Sequence, residues 1–145
     1  MTRTLAFYAT TLYQDFKSYT AAQLKELGLN YGQLPFIIFV GKMPGCTPSQ
    51  LTKQLHMDWG HSQRSLDKLV EDGFIEKRRD KPTSRICHLY LTAQGEKAFS
   101  VGHEVFFDWD KAICENLTPE QTAQLLDTLE ILTQTCKKKC KNDTI

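Results

Sequence analysis

The segment "TPSQLTKQLHMDWGHSQRSLDKLVEDGF", residues 47–74, constrains the fold more than any other part of the chain. It begins with a helix-start grammar: Thr47 as cap, Pro48 at the first helical position, Gln50 at the third. Proline suits that position because its missing N–H would have had no partner inside the helix. Leu51 and Leu55 face inward from this short helix. The connection through His56 and Met57 leaves room only for a tight turn, and Asp58 caps a second helix. In that helix the inward spacing 62, 66, 69, 70, 73 leaves His61, Gln63, Arg64, Asp67, Lys68 and Glu71 outward. Leu51, Leu55 and Met57 then pack against Leu66, Leu69 and Val70, which makes a helix-turn-helix.

The flanking segments repeat the same legible punctuation. Residues 4–27 form a long helix on the spacing of Leu5, Ala9, Leu12, Phe16, Tyr19, Leu24 and Leu27, stopped at Gly28-Leu29 by a Schellman-type end. Asn30 caps the next helix, with Gln33 as its reciprocal partner. That helix, "YGQLPFIIFVGK", is apolar nearly all round and is therefore buried. Its Pro35 lies late for a first helical position, so the first turn is irregular or the helix starts nearer Leu34. "FIEKRR" and "ICHLYL" are two strands joined by the turn-rich "DKPTS". Thr92 opens a helix with Phe99, Gly102, Phe106, Trp109 and Ile113 along one side. "TPEQ", residues 118–121, opens a last helix whose stripe Leu125, Leu129, Leu132 and Cys136 suits packing on another helix. The tail "KKKCKNDTI" is expected to fray.

The chain has 145 residues, 41% of them hydrophobic and 24% charged, which fits one domain with a real core and argues against disorder. There is no continuous apolar run of a signal peptide or a membrane span, so a cytoplasmic protein with no membrane partner is expected. Net charge is +1, but its distribution is uneven. Between residues 73 and 86, Lys77, Arg78, Arg79, Lys81 and Arg85 face Glu76 and Asp80, a local +3. Residues 92–136 carry a local −6. A polyanionic partner fits the first segment and not the second.

An enzyme is not expected, because no Gly-rich phosphate loop, nucleophile elbow or metal-ligand spacing occurs. No cofactor and no metal are expected either. His56, His61, His88 and His103 are scattered, although Cys136 and Cys140 share a helical face. The five cysteines (Cys46, Cys87, Cys114, Cys136, Cys140) form no CxxC pair and are read as reduced thiols, several of them buried.

The polar first turns of the second helix carry the functional reading. In a DNA major groove the N-terminal residues of such a helix meet base edges. Gln63 and Arg64 suit bidentate base contacts, and His61 suits a base or a phosphate. Ser65 and Lys68 on the same helix, and Thr47 and Ser49 on the helix before it, complete the DNA-binding set. Lys81 and Arg85 reach the minor groove or backbone from the hairpin. For Arg64 the competing reading is a surface ion pair with Asp67. Lys77, Arg78 and Arg79 divide between phosphate contacts and a plainly solvated strand.

"LNYGQLPFIIFV", "PGCTPSQLTKQLHMDWGHSQRSLDKLVEDGFIEK" and "RRDKPTSRICHLYLTAQG", taken in this order, resemble the MarR family of winged helix-turn-helix transcriptional regulators over nearly the whole chain. The resemblance implies a mainly α fold with a small β-hairpin. A winged helix-turn-helix lobe (residues 30–91) would lie between N- and C-terminal dimerisation helices (1–29 and 92–140) in a single 1–145 domain. It further implies a homodimer on a pseudo-palindromic double-stranded DNA operator, a repressor released by a small aromatic or amphipathic effector. Among the aromatic residues crowding the first two helices, Tyr8, Tyr13, Phe16, Phe36 and Phe39 are the candidates to line that effector's cavity. Many family members carry an Asp two residues before the wing arginine. Here Thr83 stands there, leaving Arg85 less fixed or steadied by Asp80 instead. The alternatives are a relative regulated by cysteine oxidation or metal, and a winged-helix protein-interaction module without DNA binding. Peroxide sensors of the family tend to place the reactive cysteine in the first helix, and none lies there.

Overall fold

The computed structural model describes residues 3–142, with side chains through residue 138. Helix α1, Leu5–Lys25, opens on Thr4, whose hydroxyl accepts from the Phe7 N–H at 3.1 Å. It ends two residues earlier than its apolar spacing suggests, because the Schellman hydrogen bonds close there. The Leu29 N–H reaches the Leu24 carbonyl and the Gly28 N–H the Lys25 carbonyl, both at 3.1 Å. Gly28 supplies the required positive φ of 78°. Asn30 and Gln33 then cap each other reciprocally at 3.0 Å around a 3-10 turn, Tyr31–Gln33. Helix α2, Leu34–Lys42, comes next, so Pro35 falls in its first turn after an irregular entry.

Helices α3 (Pro48–Gln54) and α4 (Trp59–Glu71) lead into strands β1 (Ile75–Arg78) and β2 (His88–Leu91). The strands pair antiparallel from Ile75 opposite Leu91 to Arg78 opposite His88. Each is four residues long, shorter than the six expected. The loop before α3 joins the sheet edge as well. Gly45 N–H donates to the Leu89 carbonyl and Leu89 N–H to the Cys46 carbonyl, each at 2.8 Å.

Helix α5, Ala93–Ile113, is tied to the hairpin by Thr92. The Thr92 hydroxyl donates to the Gly73 carbonyl at 2.5 Å and accepts from the Gly95 N–H at 3.1 Å. Its buried side in the lobe is Gly95, Ala98, Gly102 and Val105, which shares Gly102 with the stripe read from spacing and borders its Phe99 and Phe106. Small residues take that side because the helix presses on its neighbours: a methyl at Gly95 would collide with the Phe74 carbonyl oxygen. Helix α6, Pro119–Asn142, opens with the Thr118–Gln121 capping pair at 3.0 and 3.2 Å. It stays helical through Asn142, against the expectation of fraying. Residues 143–145 of that tail lie outside the described residues.

The chain divides into two compact units, Met1–Phe107 and Asp108–Ile145, with the boundary inside α5. The first contains the winged helix-turn-helix and one core built from Leu24, Phe36, Ile37, Leu51, Leu66, Leu69, Ile75 and Leu89, among others. In the second, Leu125, Leu126, Ile131 and Leu132 of α6 stand exposed and Leu129 half-buried. No helix among the described residues is long and apolar enough to cross a membrane.

Candidate nucleic-acid interface

The seam between α3 and α4 is apolar except for one hydrogen bond. Leu51, Leu66 and Leu69 are fully buried, and between them the Thr52 and Ser62 hydroxyls meet at 2.7 Å. The turn between the helices closes through His56 in the left-handed region (φ 52°). Asp58 caps α4 by accepting from the His61 N–H at 3.1 Å. With Ser62, Leu66 and Leu69 fixed inward, α4 turns its opposite side to solvent.

Two grooves flank that outward side. The first is about 420 Å³ and runs between the starts of α3 and α4 and the hairpin; Thr47, Ser49, Trp59, Gln63 and Arg85 line it. The second, about 310 Å³, lies between α4 and the turn before α2; Asn30, Gly32, His61, Arg64, Ser65 and Lys68 line it. Eight of the nine residues expected to meet DNA therefore line one groove or the other, while Lys81 stands exposed in the hairpin loop. The Thr47 hydroxyl is engaged in capping α3, accepting from the Gln50 N–H at 3.2 Å.

The charged side chains sort themselves by partner. Asp67 pairs with Lys77 at 3.0 Å, so the expected alternative of an Arg64–Asp67 pair does not form and Arg64 stays exposed. Lys68 pairs with Asp72 at 3.2 Å. Arg78 binds Glu76 at 2.9 Å, holds that carboxyl below its usual range, and lies 4.3 Å from the centre of the Tyr90 ring. Lys77 and Arg78 are thus engaged within the protein. Arg79, Lys81 and Arg85 remain exposed. Asp80 does not steady Arg85: its carboxylate lies 3.7 Å from His88 Nε2, and His88 Nδ1–H donates to the Gly45 carbonyl at 2.9 Å. The sequence neighbour of the arginine is drawn instead to the strand residue that ties the hairpin to the loop before α3.

On the far side of α2 lies an apolar cavity of about 350 Å³. Phe16, Phe39 and Phe106 give it ring faces, Leu34, Ile38 and Leu55 aliphatic walls, and Tyr31 and Lys42 its polar groups. Burial and the neighbouring Tyr13 hold the Tyr31 phenol above its ordinary pKa. Of the five aromatic residues expected there, Phe16 and Phe39 line the cavity. Phe36 does not, being wholly buried in the core on the other side of α2. Tyr13 is set back, touching Tyr31 edge-on at 6.3 Å, and Tyr8 is exposed near the start of α1. Tyr31, Lys42 and Phe106 went unforeseen because they come from three separate segments.

Set beside known proteins, the geometry has close counterparts. The sequence profile of the MarR family matches residues 27–86. The HTH-type transcriptional regulator BilQ of Clostridium symbiosum (strain WAL-14163) is 38% identical over 144 residues, 96% of this chain and 100% of its own length. The chain belongs to the MarR family. Its fold superimposes on Streptococcus pneumoniae FabT in complex with DNA at a TM-score of 0.80, with 24% identity over 92% of this chain and 96% of that one. A MarR transcriptional regulator from Methanosarcina mazei Go1 gives 0.78, at 23% identity over 92% and 90%. The chain is thus a MarR-family transcriptional regulator, of a family that binds DNA and is not enzymatic.

Within this MarR-family chain, Cys46 is buried, Cys87 and Cys114 half-buried and Cys136 exposed, so among the described cysteines one, rather than several, is core. Burial pushes the Cys46 thiol up. Cys140 has no described side chain. Among the described residues no three of His, Cys, Asp or Glu converge as a metal site would require. The interface residues that the sequence reading missed include Trp59, Ile86, Asn30 and Gly32. Trp59 carried a misleading signal: three residues before Ser62 and seven before Leu66, it falls on the inward spacing of its own helix, yet at the helix's first position it stands exposed.

Proposed function

We propose that this chain is a homodimeric, cytoplasmic repressor that grips a pseudo-palindromic operator with α4 in the major groove and is released by a small amphipathic ligand carrying an acidic group. One observation carries the DNA reading: α4 stands between two grooves that hold eight of the nine expected contact residues. A helix entering the major groove meets base edges with its outward side and has a phosphate backbone on either flank, so contact residues spread over both sides of α4 suit that position. The DNA complex of FabT supports the same reading.

Dimerisation is supported by apolar residues that a lone chain leaves uncovered: Leu5, Phe7, Leu12 and Tyr13 on α1, and Leu125, Leu126 and Ile131 on α6. The cavity supports the ligand. Its rings and aliphatic walls suit an apolar body, while Lys42 and the protonated Tyr31 suit a carboxylate or a comparable anion. The ligand releases DNA by favouring a dimer geometry whose α4 helices no longer match half-sites one helical turn apart.

Selection of bound duplexes from a random-sequence library, followed by titration with anilinonaphthalene sulfonate as an amphipathic aromatic anion, tests both halves. Enrichment of a palindromic site, and its release as the probe's fluorescence rises, is the expected outcome. No enrichment removes the DNA reading. Release by mild oxidant, absent from an all-Cys-to-Ser chain, replaces the ligand with a thiol switch.

A further inference from the structure

Trp59 is the one large side chain of the recognition helix that has neither a core to enter nor, among the described residues, a ring partner to hold. It stands at the first position of α4, 53% exposed and outside the core cluster. Exposing a tryptophan forgoes the burial of some 150–250 Å².

Two further facts place the indole. It lines the same groove as Gln63, one helical turn later on the same face of α4. The Gln63 Nε2 is covered and has no hydrogen-bond partner among the described residues, so turning the amide out to an acceptor in the groove breaks no internal bond. A glutamine amide matches adenine, whose N7 accepts from its N–H while the exocyclic amino group donates to its carbonyl. The apolar feature that the major groove offers beside such an edge is the thymine 5-methyl.

We infer that Trp59 reads a thymine methyl group and Gln63 an adenine in the same half-site, which makes the pair a determinant of operator sequence. The inference rests on the reading of α4 as a DNA-recognition helix. Residues four apart on a helix lie about 5–6 Å apart at their Cβ atoms. Bases along one strand are about 3.4 Å apart. The thymine therefore lies one or two steps from the adenine.

The test uses the full-length chain and an operator taken from the random-duplex selection. Each thymine of a half-site is replaced in turn by uracil, which removes the 5-methyl and nothing else. At one thymine, one or two steps from an adenine, the wild type should lose about fourfold in affinity, the worth of one buried methyl-sized group. Trp59→Ala should bind the thymine and uracil duplexes alike, and Gln63→Ala should lose its preference at the adenine. The wild-type comparison needs no variant, so it does not depend on how the substitutions fold. If no uracil replacement matters, or if Trp59→Ala still discriminates, the inference is overturned while DNA recognition stands. If selection enriches no sequence at all, recognition itself fails and this inference falls with it.

Discussion

The Thr52 and Ser62 hydroxyl oxygens lie 2.7 Å apart in the buried seam between α3 and α4. Thr52 donates its own proton to the Pro48 carbonyl, also at 2.7 Å, so the proton between the two hydroxyls comes from Ser62. The two replacements are therefore unequal. Ser62→Ala removes a donor and leaves Thr52 bonded to Pro48, costing about 1 kcal/mol. Thr52→Val strands the Ser62 hydroxyl in an apolar seam and should cost more, about 1–3 kcal/mol. The double variant should cost less than the sum. Urea denaturation of the three variants measures this, and strictly additive costs would show that the hydroxyls are not coupled.

Gly95 fixes how closely α5 approaches the hairpin. Glycine in a helix interior normally costs about 1 kcal/mol against alanine, so Gly→Ala is usually stabilising. Here the new methyl would collide with the Phe74 carbonyl oxygen, a backbone atom that cannot rotate away. Gly95→Ala should instead destabilise the chain by about 1–3 kcal/mol. Ser100→Ala, at an exposed position of the same helix, serves as the reference and should be neutral or slightly stabilising. A thermal melt in which Gly95→Ala holds or raises Tm would mean that the helix has room to move.

The helix boundaries were legible because caps are local chemistry: Thr47 with Gln50, Asn30 with Gln33 and Thr118 with Gln121 each satisfy one another within four residues. The outward side of α4 was legible for the same reason, since one helical period assigns both faces. What failed was decided by contacts between distant segments. Spacing set Phe99, Gly102 and Phe106 along one side of α5, but only contacts between segments bury Gly102, pack Phe99 on the core and leave Phe106 at the cavity. In α2, apolar nearly all round, no period separates Phe36 in the core from Phe39 at the cavity. Asp80 lies near Arg85 in sequence, yet its carboxylate faces His88. The bond between the Cys46 loop and Leu89 joins segments more than forty residues apart and left no local trace.

Arg64 and Arg85 should fail differently when truncated. Arg64 lines the groove beside α2 without an ion pair among the described residues, so Arg64→Ala should cost about 1–3 kcal/mol of specific affinity and relax the preference at one base position. Arg85 stands on the wing, where phosphate is the nearer partner. Arg85→Ala should weaken all duplexes similarly and lower the salt slope by about one. Fluorescence anisotropy on the selected operator and on a scrambled duplex, each over a range of salt, separates the two. A change of base preference for Arg85→Ala with the slope intact would make the wing residue a reader.

The cysteines should react in the order of their exposure. Burial raises the Cys46 pKa above its ordinary value of 9.0, so at neutral pH its thiolate fraction is smaller and its access is poor. Cys87, half-buried and lining the first groove rather than carried on a proposed dimer helix, should be alkylated well before Cys46 in the native chain. The same shift has a stability consequence. A thiol whose pKa is higher folded than unfolded favours the native state fully below the unfolded pKa. That contribution is lost as pH rises through the folded value, because the unfolded chain releases its proton first. Stability should therefore begin to fall above about pH 9 and should fall less in Cys46→Ala, once each variant is referred to its own stability at neutral pH. Timed iodoacetamide labelling resolved by peptide mass, with urea midpoints between pH 7 and 10, covers both points. Rapid labelling of Cys46 at neutral pH would open the core thiol to oxidants and bring the thiol switch back as the releasing signal.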